Sequence, residues 1–159
     1  VADTQRNLIL FDLDDQRYGL ELGQVQRVVR VVAITPVPGG PAALLGLFNL
    51  EGTIIPVMNT RRMLHLPERE LRLSDQLLIV HASGRPVALL VDAVHGVSDG
   101  REWDEIPLDT IISTDGLIRG VFGDQGDLIF IQDIPAFLSA AGAEIPDPID
   151  DHLPETLQA

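Results

Sequence analysis

Cysteine is absent from the 159 residues. Disulfides, thiolate catalysis and cysteine-based zinc sites are excluded together, and the absence fits a reducing, cytoplasmic compartment. Lysine is absent too: all 11 basic residues are arginine, so no phosphate-loop lysine exists. No run of 18 apolar residues is present, so no transmembrane helix is expected, and residues 1–7 lack the apolar core of a signal peptide. Against the 11 arginines stand 24 acidic residues, a net charge of −13. Such a chain does not bind nucleic acid or anionic membrane through bulk charge.

Catalytic and metal-ligand patterns are missing as well. His65, His81, His95 and His152 form no His-x-x-x-His pair, and no serine sits in a Gly-x-Ser-x-Gly elbow. His81 and Asp92 can approach across a hairpin, but no nucleophile accompanies them. Asp12, Asp14 and Asp15 lack the spacing and distal glutamate of a calcium loop and read as solvated turn carboxylates. No catalytic residue, metal or cofactor is expected. A small β-barrel hydrolase remains the distant alternative, which turnover in an esterase or phosphatase screen would revive.

What is present is strand chemistry. The chain is 45% apolar and rich in Val, Ile and Leu. Strands are expected at residues 8–13, 18–22, 25–34, 77–80 and 87–91, with turns at 14–17 and 83–86 and a proline-rich loop at 36–41. Residues 42–45 suggest a short helical turn, and Asn59 is placed to cap a helix over residues 60–64. A charged linker follows at 67–74.

The chain also repeats itself. Residues 46–57 and 120–131 each carry Gly, an aromatic two positions on, a second Gly six positions after the first, and an apolar run, which is the pattern of a hairpin. Gly46, Phe48, Gly52, Asn59 and Leu64 recur 74 positions later as Gly120, Phe122, Gly126, Asp133 and Leu138. Leu20, Leu22, Val25 and Val28 recur 69 positions later as Leu89, Val91, Val94 and Val97, so an insertion of five is expected within residues 99–116. A second short helix is expected at 135–140. Halves of about 65 residues are marginal alone. The fold expected is therefore all-β: two small five-stranded barrels, roughly residues 8–70 and 75–140, packed on a shared hydrophobic core as one domain over residues 1–143. Exchange of strands between the halves stays open. Residues 144–159, with five acids and no base, are expected to be a disordered tail.

Phe11-x-Leu13, Tyr18-Gly19-Leu20, Val25-Gln26-x-Val28, Gly46-x-x-Asn49-Leu50-x-Gly52 with Pro56-Val57, and Val91-Asp92-x-Val94 together resemble the CheW family of chemotaxis coupling proteins. The resemblance covers about residues 8–140. It implies two SH3-like barrels and no catalysis. It further implies a bridge between a CheA-type histidine kinase, whose related regulatory domain pairs end to end with the barrels, and the cytoplasmic tip of chemoreceptors, held in the groove between them. It places the receptor groove at Val25, Arg27, Gly46, Glu51, Asp92 and Val94. Asp92 has an alternative role in anchoring a turn, and the kinase-facing surface is placed only on loop ends of either barrel. Location at membrane-associated receptor arrays follows from the same resemblance.

Two positions depart from the family. Glu51 stands where Arg is usual in Asn-Leu-Arg-Gly, and Arg27 where Glu is common in Val-x-Glu-Val. Opposite changes of sign imply a facing pair with inverted polarity and a diverged receptor set or a non-flagellar pathway; independent surface drift is the plainer alternative. Asn59-Thr60 replaces a more usual Asp-Leu, which retunes a cap. Trp103 reads either as a loop residue packed over the second barrel or as an exposed anchor for a partner. Val1 in place of an initiating Met fits a CheW-like regulatory domain cut from a larger kinase or fusion protein.

Overall fold

The computed structural model describes residues 7–31, 33–82, 84–99, 105–113, 115–124 and 126–144; Trp103, His152 and residues 145–159, which hold most of the expected tail, lie outside them. The chain order is β1 (Asn7–Leu13), β2 (Gln16–Glu21), β3 (Val25–Arg30), β4 (Leu44–Leu50), β5 (Thr53–Met58) and α1 (Thr60–Met63). It continues through β6 (Gln76–Ala82), β7 (Arg85–Val91), β8 (Ala93–Asp99), β9 (Ile106–Pro107), β10 (Ile118–Asp124), β11 (Asp127–Gln132) and α2 (Ile134–Glu144). These strands form two sheets, ordered β8-β1-β2-β11-β10-β9 and β3-β6-β7-β5-β4.

The sheet boundaries do not fall where the sequence repeat divides. β3, β4 and β5 join β6 and β7, while β1 and β2 join β8 to β11. Each sheet thus takes its first hairpin from one copy of the repeat and its remaining strands from the other. The exchange is reciprocal in detail. β1 pairs with β8 and β3 with β6, and β5 runs parallel to β7 with Val57 opposite Ala88. The repeat-related partner of that last contact is β11 parallel to β2, with Ile131 opposite Gly19. The basic unit is therefore a pair of interlocked barrels rather than two adjacent ones.

Alternation of side chains explains why this body holds together. In β1, Leu8 and Leu10 face one core with Phe122, Ile129 and Ile131, while Ile9, Phe11 and Leu13 face another. In β6, Leu77 and Ile79 pack with Phe48, Ile55, Val57 and Ala88, while Leu78 and Val80 turn to the other side. The second sides of β1 and β6 meet in one shared core with Tyr18, Leu20, Met58, Leu89, Val91, Ile134 and Phe137. Both strands are buried on two faces, which is why they read as nearly unbroken apolar runs. Each fully buried Leu, Ile or Phe here contributes about 1.5–3 kcal/mol.

The two copied glycines have the same task. A Cβ on Gly46 would lie 2.5 Å from the Thr35 carbonyl oxygen, and one on Gly120 would lie 2.9 Å from that of Ile106. Thr35 bridges to Leu47, as β9 pairs with β10, so each glycine lets a returning segment cross its strand at close range. The hairpin of residues 46–57 turns at Glu51 (φ 52°) and Gly52 (φ 92°), and Gly126 (φ 91°) occupies the matching place in the second copy. Helix starts repeat as well. Asn59 Oδ1 accepts from Arg62 N at 3.2 Å and Asp133 Oδ1 from Ala136 N at 3.0 Å.

Two local expectations need correction. The strand expected at 25–34 ends at Arg30, because its partner β6 begins at Gln76; the Val31 N–H makes one last in-register bond, to the Asp75 carbonyl at 3.0 Å. The helical turn expected at 42–45 is a turn closed by Leu44 N to Pro41 O at 3.0 Å, and Leu44 already begins β4, where it pairs with Met58. The second helix is longer than expected, reaching Glu144.

Candidate functional site

Val25 opens β3 opposite Val80, and Val94, its repeat partner on β8, donates its N–H to Gln76 Oε1 at 2.8 Å. Both are half-buried and pack against the shared core, so they mark the seam between the barrels. Arg27 lies on the same strand as Val25. Its Nη1 reaches Glu51 Oε2 at 3.4 Å, bringing β3 against the β4–β5 turn. The anticipated facing pair is thus present. It spans the two ends of the sheet order, β3 and β4, and not the neighbouring strands that the two sign changes suggested.

That pair contributes little stability. The side chains are 42% and 75% exposed, and exposed pairs contribute about 0–1 kcal/mol. Glu51 also holds a left-handed backbone that glycine, asparagine or aspartate adopts more readily. The turn is stabilised by Asn49 Oδ1, which accepts from Gly52 N at 2.7 Å. A charged residue is therefore displayed at the tip of a tight hairpin, mostly free to meet another molecule. Gly46 lies in the same hairpin and keeps it close to Thr35.

Asp92 sits in a different environment. Its carboxylate accepts from Arg61 Nη2 at 2.9 and 2.7 Å, from Arg69 Nη2 at 2.6 Å and from the Asp14 N–H at 2.7 Å. Arg61 also reaches Asp14 at 2.8 Å, and Arg69 reaches the buried Asp75 at 2.7 Å. Burial by itself would raise the Asp92 pKa. Hydrogen bonds from Arg61 and the Asp14 N–H, with the charges of Arg61 and Arg69, outweigh it and hold the carboxyl below its ordinary value. The network joins the β1–β2 turn, α1, the 67–74 linker and the passage from β7 to β8. Asp92 therefore anchors a turn and ties the two sheets together where the chain crosses between them. Arg61, Arg69 and Asp75 escaped sequence reasoning, because only folding brings them to Asp92.

Other charged groups are also engaged. Asp12 meets Arg17 at 3.2 Å and pairs with His95 Nε2. Arg119 grips Glu105 at 2.8 and 2.9 Å and Glu21 at 2.8 Å. A cavity of ≈ 100 Å³ lies beside Arg61, Arg69, Asp75 and Asp92, well below the roughly 300–1,000 Å³ of a small-molecule site. Among the described residues, no three His, Asp or Glu side chains gather as metal ligands. No helix there is long and apolar enough to cross a membrane.

Two interlocked β-barrels with a seam between them and a displayed hairpin define the class as a double-barrel module. Comparison with known proteins gives the family. Residues 7–142 match the CheW-like domain, and the chain belongs to that family. It is 28% identical over 146 residues to the chemotaxis protein CheW of Treponema pallidum, covering 88% of this chain and 86% of that one. It is 28% identical over 131 residues to CheW of Rhizobium meliloti, covering 81% and 84%. The crystal structure of the scaffolding protein TtCheW from Thermoanaerobacter tengcongensis superposes with a TM-score of 0.76 at 27% identity, over 90% of this chain and 99% of that one. The two sheets are accordingly SH3-like barrels of the CheW fold.

Asp92 is the residue to test for the interbarrel tie. Its lowered pKa stabilises the fold above the unfolded carboxyl value and ceases to do so as pH falls through the folded value. Asp92→Asn should lower stability at pH 7 by about 1–3 kcal/mol, measured by urea denaturation. The gap should begin to narrow as pH falls below about 4 and close as pH falls through the lower folded value. Equal stability at pH 7, or a gap that persists in acid, would contradict this role.

Proposed function

We infer that this chain is a non-enzymatic coupling adaptor of chemotaxis-type signal transduction, working in the cytoplasm at receptor arrays. The match of residues 7–142 to the CheW-like domain carries this reading, together with coverage of most of each chemotaxis relative's length. The partners proposed are a CheA-type histidine kinase regulatory domain and the cytoplasmic tip of a chemoreceptor. The kinase domain docks on loop ends of the barrels, and the receptor tip lies along the seam. Val25 and Val94 supply apolar contact there, Gly46 keeps the hairpin in place, and Arg27 and Glu51 present charge. Asp92 contributes by fixing the relation of the barrels. Holding two ligands on one rigid body raises their effective mutual concentration, so modest affinities suffice for a lasting assembly.

The Arg27–Glu51 polarity favours a diverged receptor. A receptor tip matched to the common arrangement, with acid on the strand and arginine on the turn, meets like charge at both positions, and like charge across an interface suppresses binding. Affinity purification from the native host should recover both a histidine kinase and a chemoreceptor; recovery of neither defeats the adaptor reading. Titration of purified receptor tips into the chain carrying Arg27→Glu with Glu51→Arg should change which tip binds best. An unchanged order of preference would show that the inverted pair does not select the receptor.

A further inference from the structure

The two helices that follow the repeated hairpins are held in different ways. α1 is pinned by charge: Arg61, 8% exposed, meets Asp14 at 2.8 Å and Asp92 at 2.7 Å, which joins the helix to the β1–β2 turn and to the passage from β7 to β8. The position 74 residues on is Pro135 in α2, exposed and without charge. A backbone tie is common to both copies: Asn59 N donates to Ala43 O at 2.8 Å and Asp133 N to Leu117 O at 2.9 Å. Among the described residues, no ion pair reaches α2. Its hold on the body is apolar, through the buried Ile134 and Phe137 and the half-buried Leu138.

The core on which α2 packs contains a group that resists burial. Ile129 and Ile131 of β11 face the private core of their barrel, and Phe130 packs on the shared core, so Gln132 faces the shared core by alternation. Gln132 is 1% exposed, and neither its Nε2 nor its Oε1 has a hydrogen-bond partner among the described residues. A buried amide without a partner has lost its hydration and gained nothing in return, which favours any state that restores it to water. An apolar side chain fits the same place: Met58, 74 positions earlier, is buried in the shared core. Thr60 Oγ1 in α1 is also buried and unpartnered, but there the Arg61 ties hold the helix down.

We propose that α2 is a latch: it leaves the shared core as a local unit while both sheets stay folded. Closing buries Ile134 and Phe137 and strands the Gln132 amide; opening reverses both. An element with few buried side chains opens at less cost than the whole body unfolds, and an uncompensated polar group beside its joint lowers that cost further. Arg61 denies α1 the same freedom, so the opening is confined to one of the two repeat-related helices. The open form uncovers the core between the barrels, and the side chain at position 132 sets how often it is reached. The latch is a property of the chain alone and stands apart from its coupling role.

Amide hydrogen exchange of the purified chain, read residue by residue by NMR, tests it. The amides of Phe137 and Leu138 should exchange about a hundredfold or more faster than those of Leu78 and Val80 on β6, a strand paired on both sides and released only by global unfolding. Gln132→Met should slow exchange at Phe137 and Leu138 by about tenfold or more. Gln132→Leu serves in the same way if methionine disturbs the fold by circular dichroism. Equal protection of the two pairs of amides in the parent overturns the proposal. So does fast exchange at Phe137 and Leu138 that neither substitution slows, because simple fraying of a helix does not respond to the side chain at position 132.

Discussion

The shared core is the constraint on which the rest depends. Phe11, Tyr18, Leu20, Leu78, Leu89 and Val91 belong to neither barrel's private interior; they fill the space between the barrels. A barrel of this size buries little of its surface and is marginal alone. Here β1 and β6 each serve a private core with one face and the common core with the other. The exchange of β3 and β8 between repeat units makes this possible. Separating the two repeat copies would require breaking the β3–β6 and β1–β8 ladders as well as opening the core.

The Asp92 network reinforces the same junction from the polar side. It forms where the chain passes from β7 to β8, one of the two crossings between barrels. The other crossing, at Leu22–Gln24, contains Gly23, which has open space around its Cβ position. One crossing is clamped by charge and the other is left slim. The seam between them carries Val25 and Val94, so the geometry of the proposed receptor groove rests on the same contacts that stabilise the fold.

Much of this was legible in the sequence, and the limits have physical causes. The spacings of 69 and 74 paired the right residues, because strand alternation, turn glycines and helix caps are local signals. Gly46 and Gly120 stood out by their recurrence, but only the fold shows that each admits a crossing backbone segment. Strand partners were another matter. Alternation reports which face of β3 is buried but not which strand lies beside it, and β3 is as well matched to β6 as to β1. The same limit hid Arg61, Arg69 and Asp75, whose meeting with Asp92 spans up to 31 positions of sequence. The Arg27–Glu51 contact was reached from two sign changes in the family pattern, although its place between the two ends of the sheet order required the fold.

A rigid double barrel serves the proposed two-ligand task only if both ligands bind at once. The direct measurement is sedimentation of the chain with a cognate kinase regulatory domain and a cognate receptor tip, each added near saturation. A single boundary containing all three components is the predicted result. Displacement of one partner by the other would contradict the bridge.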